Sequence, residues 1–270
     1  MGLGVLALLA ACSSGPRIPG NAERLAKLDQ TLSQTGWKSI ELPGDRFDLV
    51  AALGPPVSPT DVLTIYIEGD GLSWIGSQRV STDPTPIDPY ALKLAVQDKR
   101  PAAWLARPCQ YVMGTGCSAA AWTSHRYSPE AIAAMDHAVS VLKQSVGASS
   151  VALVGFSGGG VAAALVAAQR TDVRGLATVA SNLDTELWTR VLGLAPLVEG
   201  SNPARVAHKL SGLRQIHFAG EDDHIVPARV TRSFVTAAKL GQSNLYLMPS
   251  FDHNCCWITA WPSLSQKLPW

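Results

Sequence analysis

The chain has 270 residues, a formal net charge of +1, 47% apolar residues and 16% charged residues. That length suits one α/β domain with a sizeable core, and the apolar content excludes a disordered chain. The balanced charge, with no basic stripe, argues against nucleic acid as a partner.

In chain order, the first segment stands outside the predicted fold. Gly2 to Ala11 is an apolar run too short to span a bilayer, and it ends Leu9-Ala10-Ala11-Cys12-Ser13-Ser14-Gly15. These residues resemble a bacterial lipobox, although no Lys or Arg precedes the apolar run. The resemblance implies a lipoprotein signal peptide over 1–11, a lipid on Cys12 and a periplasm-facing place in the cell envelope. Ser13 resembles the outer-membrane sorting pattern. The competing reading is an ordinary cleaved secretory signal. Residues 12–20 then read as anchor and linker, and 21–270 as a single domain.

Asn21 to Thr35 predicts an amphipathic helix. Residues 37–42 and 47–53 alternate apolar and polar around Pro43-Gly44-Asp45, which predicts an antiparallel hairpin. Val62 to Ile67 is a strongly apolar strand, and Ala103 to Ala106 a weaker one. Ser128-Pro129-Glu130 opens a helix running to about Val146, with Ser as cap and Pro in the first helical position. Strands follow at 151–154, 176–180, 215–219 and 245–248. Their alternation with helical segments predicts a mostly parallel sheet with helices on both faces. The long connection 183–213 reads either as a short cap or as packing helices.

Beyond Cys12 four cysteines remain, which allow three pairings. An exported chain can hold bridges. Cys109 and Cys117 flank a short Gly-containing loop that a disulfide would close, and Cys255 and Cys256 are adjacent. There is no C-x-x-C pair and no His cluster at ligand spacing, so neither metal nor cofactor is expected.

The most informative stretch is Gly155-Phe156-Ser157-Gly158-Gly159, a G-x-S-x-G between the strand at 151–154 and a small-residue helix from Gly160 to Ala168. A serine at such a turn presents its hydroxyl outward. It becomes a nucleophile only when a base takes its proton and a carboxylate orients that base. Two loops after strands carry such groups: Gly220-Glu221-Asp222-Asp223-His224-Ile225-Val226-Pro227 and Pro249-Ser250-Phe251-Asp252-His253-Asn254.

On these motifs the chain resembles a bacterial lipoprotein of the α/β-hydrolase superfamily. The resemblance implies an α/β-hydrolase fold, with Ser157 as nucleophile, Asp223 as acid and His253 as base. Asp222 is the rival acid and His224 the rival base. His125, His137, His208 and His217 read as structural. For the oxyanion hole the resemblance implies the backbone N–H of Gly158 and that of Asp70 in Glu68-Gly69-Asp70-Gly71, where the superfamily often has His-Gly. Two acids beside a developing negative charge need pairing, and Arg79, Arg107 and Arg126 are the candidate partners. The expected function is a lipid-anchored serine hydrolase acting on a small-molecule ester. The alternatives are a peptidase or amidase with the same triad, or a non-catalytic binding lipoprotein on this fold.

Overall fold

The computed structural model describes residues 17–55, 60–76, 78–198 and 202–270. The expected signal peptide and lipid-bearing Cys12 lie outside the described residues.

Helix α1 (Asn21–Thr35) buries Leu28 and Leu32, one turn apart, and ends at Gly36 in the left-handed conformation. Strands β1 (Lys38–Leu42) and β2 (Leu49–Leu53) form an antiparallel hairpin with Lys38 opposite Leu53. Strand β3 (Val62–Ile67) follows, then a small ribbon of β4 (Trp74–Ile75) and β5 (Arg79–Val80). Helix α2 (Tyr90–Ala95), strand β6 (Ala102–Leu105) and helix α3 (Ala119–Trp122) come next. Helix α4 (Pro129–Ser145) is capped by Ser128, whose side chain accepts from the Ala131 amide.

Strand β7 (Ser150–Phe156) runs directly into α5 (Gly158–Ala167). Strand β8 (Val173–Val179), helices α6 (Thr185–Leu192) and α7 (Pro203–Val206), and strand β9 (Arg214–Gly220) continue the alternation. Helix α8 (Ala228–Ala237), strand β10 (Leu245–Met248) and helix α9 (Trp257–Leu264) complete it.

Eight of these strands form one sheet in the order β1-β2-β6-β3-β7-β8-β9-β10. Pairing is antiparallel for β1–β2 and β2–β6 and parallel for the rest. The side-chain period of two divides the core into two layers. On β3, Leu63, Ile65 and Ile67 join one layer with α4, α5 and α8, while Tyr66 joins the other with α1, α2 and α9. Helix α5 lies between sheet and helices, and all ten of its residues are buried, which accounts for its small apolar sequence. In the long connection 183–213, α6 and α7 pack on α8, and residues 193–197 line a cavity described below.

Candidate active site

The parallel strands end together at one edge of the sheet, where loops converge and ligands of open α/β sheets bind. Ser157 occupies the one-residue turn between β7 and α5. Its φ of 51° is in the left-handed region, which disfavours a residue with a Cβ. Hydrogen bonds from its amide to Val179 O (2.9 Å) and from the Gly160 amide to its carbonyl (3.0 Å) hold it there. A Cβ on Gly155 would lie 2.3 Å from Gly160 Cα, and one on Gly159 would lie 2.2 Å from the Ile67 carbonyl oxygen. Strand and helix close to this distance only because both positions lack a side chain.

Asp223 stands in the loop after β9 and His253 in the loop after β10. Asp223 is buried, and its Oδ1 accepts from the amides of Ile225 (2.9 Å) and Val226 (2.7 Å). Its Oδ2 lies 2.8 Å from His253 Nδ1, and His253 Nε2 lies 3.0 Å from Ser157 Oγ. A carboxylate can only accept, so it selects the tautomer with the proton on Nδ1 and leaves Nε2 free to accept from the serine hydroxyl. Asp222 and His224, the rivals named from the sequence, are exposed. His217 is buried in β9 with Nδ1 2.8 Å from Thr178 Oγ1, and burial lowers its pKa to about 3.

The loop Glu68–Gly71 packs against the serine turn: a Cβ on Gly69 would be 3.5 Å from Ser157 Cβ. The amide of Asp70 has no protein acceptor among the described residues. Gly158 opens α5, where the helix dipole favours negative charge.

Both acids of this loop are spoken for. The Asp70 carboxylate meets Arg126 at 2.5 Å and Arg107 at 3.3 Å, and accepts from the Tyr127 hydroxyl at 3.2 Å. Burial pushes its pKa up, and the two guanidiniums more than offset this, leaving it below the ordinary value. Glu68 accepts from Trp104 Nε1 (2.9 Å) and from the amides of Gly69 (3.0 Å) and Ala91 (3.1 Å). Burial outweighs these donors and raises its pKa. Arg79, the third candidate partner, takes no part.

Arg107 and Gln110 flank Cys109, and Gln110 Nε2 also donates to the Gly69 carbonyl at 2.9 Å. Cys109 is bonded to Cys117, with Cα atoms 5.6 Å apart, so this bridge closes the loop that braces Glu68–Gly71. Cys255 and Cys256 are bonded to each other.

Above Ser157 and His253 opens a cavity of about 1200 Å³. Trp74, Ile87, Tyr90, Trp188, Leu194 and Ile225 are among its walls. Sequence reasoning offered the connection that holds Trp188 and Leu194 as a short cap or as packing helices, and gave the others no role. They come from separate loops and short helices, where apolar residues follow no period, and the weak signal was large apolar side chains in Gly- and Pro-rich connections.

Sheet order, serine turn and strand-end placement define an α/β-hydrolase. The Serine hydrolase (FSH1) family matches residues 86–250, and the chain belongs to that family. The match takes in Ser157 and Asp223 and stops before His253. No curated protein matches the sequence.

The fold is similar to that of several solved structures. TT1662 from Thermus thermophilus is 16% identical with a TM-score of 0.59, over 85% of this chain and 95% of that one. Est1E from Butyrivibrio proteoclasticus is 15% identical with a TM-score of 0.58, over 85% and 98%. XC6422 from Xanthomonas campestris, described as an α/β serine hydrolase without lid, is 16% identical with a TM-score of 0.54, over 87% and 96%.

Proposed function

We propose that this serine hydrolase cleaves a carboxylic ester through an acyl-enzyme on Ser157. The observation that carries the reading is the unbroken hydrogen-bonded chain from Asp223 through His253 to Ser157 at the base of a cavity. Ser157 Oγ attacks the ester carbonyl carbon as its proton passes to His253 Nε2. Asp223 holds the ring and stabilises the imidazolium. The oxyanion forms between the amides of Gly158 and Asp70. Collapse breaks the carbon–oxygen bond to the alcohol, which leaves with the proton from His253. Water, deprotonated by His253, then attacks the acyl carbon; the acid is released and Ser157 regains its proton.

The fold-neighbour Est1E has been seen with ferulic acid bound, which supports a carboxylic acid as the product here. The lipobox-like residues before and at Cys12 support a lipid-anchored enzyme facing the periplasm. Among the described residues no helix is long and apolar enough to cross a membrane.

A fluorophosphonate probe tests the chemistry. Wild type should be labelled at Ser157 and should hydrolyse esters faster than matched amides, while a folded Ser157→Ala should do neither. An unlabelled wild type, or an active Ser157→Ala, would overturn the mechanism.

A further inference from the structure

Six large apolar side chains are exposed among the described residues, and four of them line the cavity above Ser157: Trp74, Ile87, Leu194 and Ile225. Their exposures run from 37% for Ile87 to 51% for Ile225. Single exposed apolar residues are ordinary, but a cluster around one concave site marks a surface meant to be covered. The volume of about 1200 Å³ is far more than an acetyl group can fill and reaches past the usual range of about 300–1000 Å³ for small-molecule pockets.

The charges lining the same cavity are already paired. Arg126 is the one Arg or Lys among the described lining residues, and it donates to the Thr123 carbonyl and to Asp70, a carboxylate that it shares with Arg107. Asp88 meets Lys27 at 2.8 Å and Lys93 at 2.5 Å. Glu68 is enclosed by Trp104 and backbone amides, and His253 is held by Asp223. An ammonium on the substrate would meet no carboxylate that is not already held by two cations or, as Glu68 is, enclosed by N–H donors, and a carboxylate or phosphate would have to compete with Asp70 for Arg126 at the cost of its own desolvation, which is unfavourable.

We infer that the site selects neutral esters bearing a large apolar group, on the scale of an eight-carbon chain or more, and discriminates against short-chain and charged esters. This rests on the ester-hydrolase reading above. Trp74, Leu194 and Ile225 are its specificity-determining residues, because they can close over an apolar group and remove it from water along with themselves. Each buried methylene is worth roughly threefold to fourfold in binding, so several together give a steep chain-length dependence.

The experiment measures kcat/KM for soluble p-nitrophenyl esters from acetyl to decanoyl, beside a succinyl monoester matched in length to butanoyl. Fluorophosphonate labelling of the same samples counts competent Ser157. Octanoyl should exceed acetyl by at least about 100-fold, and butanoyl should exceed the succinyl monoester by about tenfold or more. Trp74→Ser and Leu194→Ser should lower the octanoyl value more than the acetyl value, flattening the profile. Stoichiometric labelling with a flat or falling profile, or with equal rates for the charged ester, would overturn the specificity and leave the hydrolase reading standing. No labelling and no ester hydrolysis would overturn both.

Discussion

Gly158→Ala is expected to disable the site at modest cost in stability. An added Cβ would lie 2.1 Å from Asp70 Oδ1 and 2.6 Å from both Asp70 Cγ and the Tyr127 hydroxyl oxygen. Reaching ordinary contact at 3.4 Å requires a displacement of more than 1 Å at the closest atom. The Asp70 carboxylate cannot simply swing aside, because Arg107, Arg126 and Tyr127 grip it. The strain therefore passes into the loop backbone or the first turn of α5, which carry the two proposed oxyanion donors.

A misplacement of about 1 Å costs on the order of 100-fold in rate. Full loss of one donor costs roughly 100- to 1000-fold, or about 2.7–4 kcal/mol. Overpacking of about 1–3 kcal/mol lowers Tm by roughly 2–10 °C in a domain of this size, so the protein should remain folded at room temperature. The assay is kcat and KM on one ester, with thermal melting and fluorophosphonate labelling in parallel. The loss should fall on kcat, since the donors act on the oxyanion rather than on bound ester. A folded Gly158→Ala with kcat within threefold of wild type would refute the claim that Asp70 and Gly158 are locked together.

Asp223→Asn should lose on the order of 10,000-fold in kcat through the wrong imidazole tautomer, while Asp222→Asn and His224→Ala stay near wild type; the opposite ranking in folded proteins would move the acid or the base. His217 is expected to impose acid sensitivity. Its pKa is about 3 folded against 6.5 unfolded, so between those values the unfolded state binds the extra proton, and stability present above pH 6.5 is lost as pH falls. Urea unfolding from pH 7 to 4 should show a slope steeper by up to about 1.4 kcal/mol per pH unit in wild type than in His217→Gln, and parallel curves would count against it. Full-length protein expressed in a bacterial host should take up labelled palmitate and partition into detergent, whereas Cys12→Ser should not; identical fractionation with neither protein labelled would leave only a secretory signal.

Much of the scaffold was legible because its signals are local. The predicted helix Asn21–Thr35 and the strands at 62–67 and 245–248 coincide with α1, β3 and β10, since apolar periodicity and turn residues act over a few positions. The serine turn was legible for the same reason: flanking glycines, an apolar strand and a small-residue helix adjoin in the chain. Helix α9 was not, because Pro262 lies inside it and packing of Trp257 and Trp261 against the sheet overrides that local signal. Helices α2 and α8 and the ribbon β4–β5 likewise went unmarked.

The sequence by itself determined which chemical groups exist and the order in which strands present them. Asp223 was preferred to Asp222 there only through the family resemblance, because the two acids are neighbours in one turn. Only the turn geometry aims one carboxylate at His253 and the other at solvent. The sequence could not select Arg107 and Arg126 over Arg79 as partners of Asp70, because those contacts cross 37 and 56 positions of chain. Local structure follows from each residue and its near neighbours. Pairing between distant charges, and the gathering of apolar side chains from separate loops around one cavity, follow from the order of strands in the sheet, which tertiary packing alone decides.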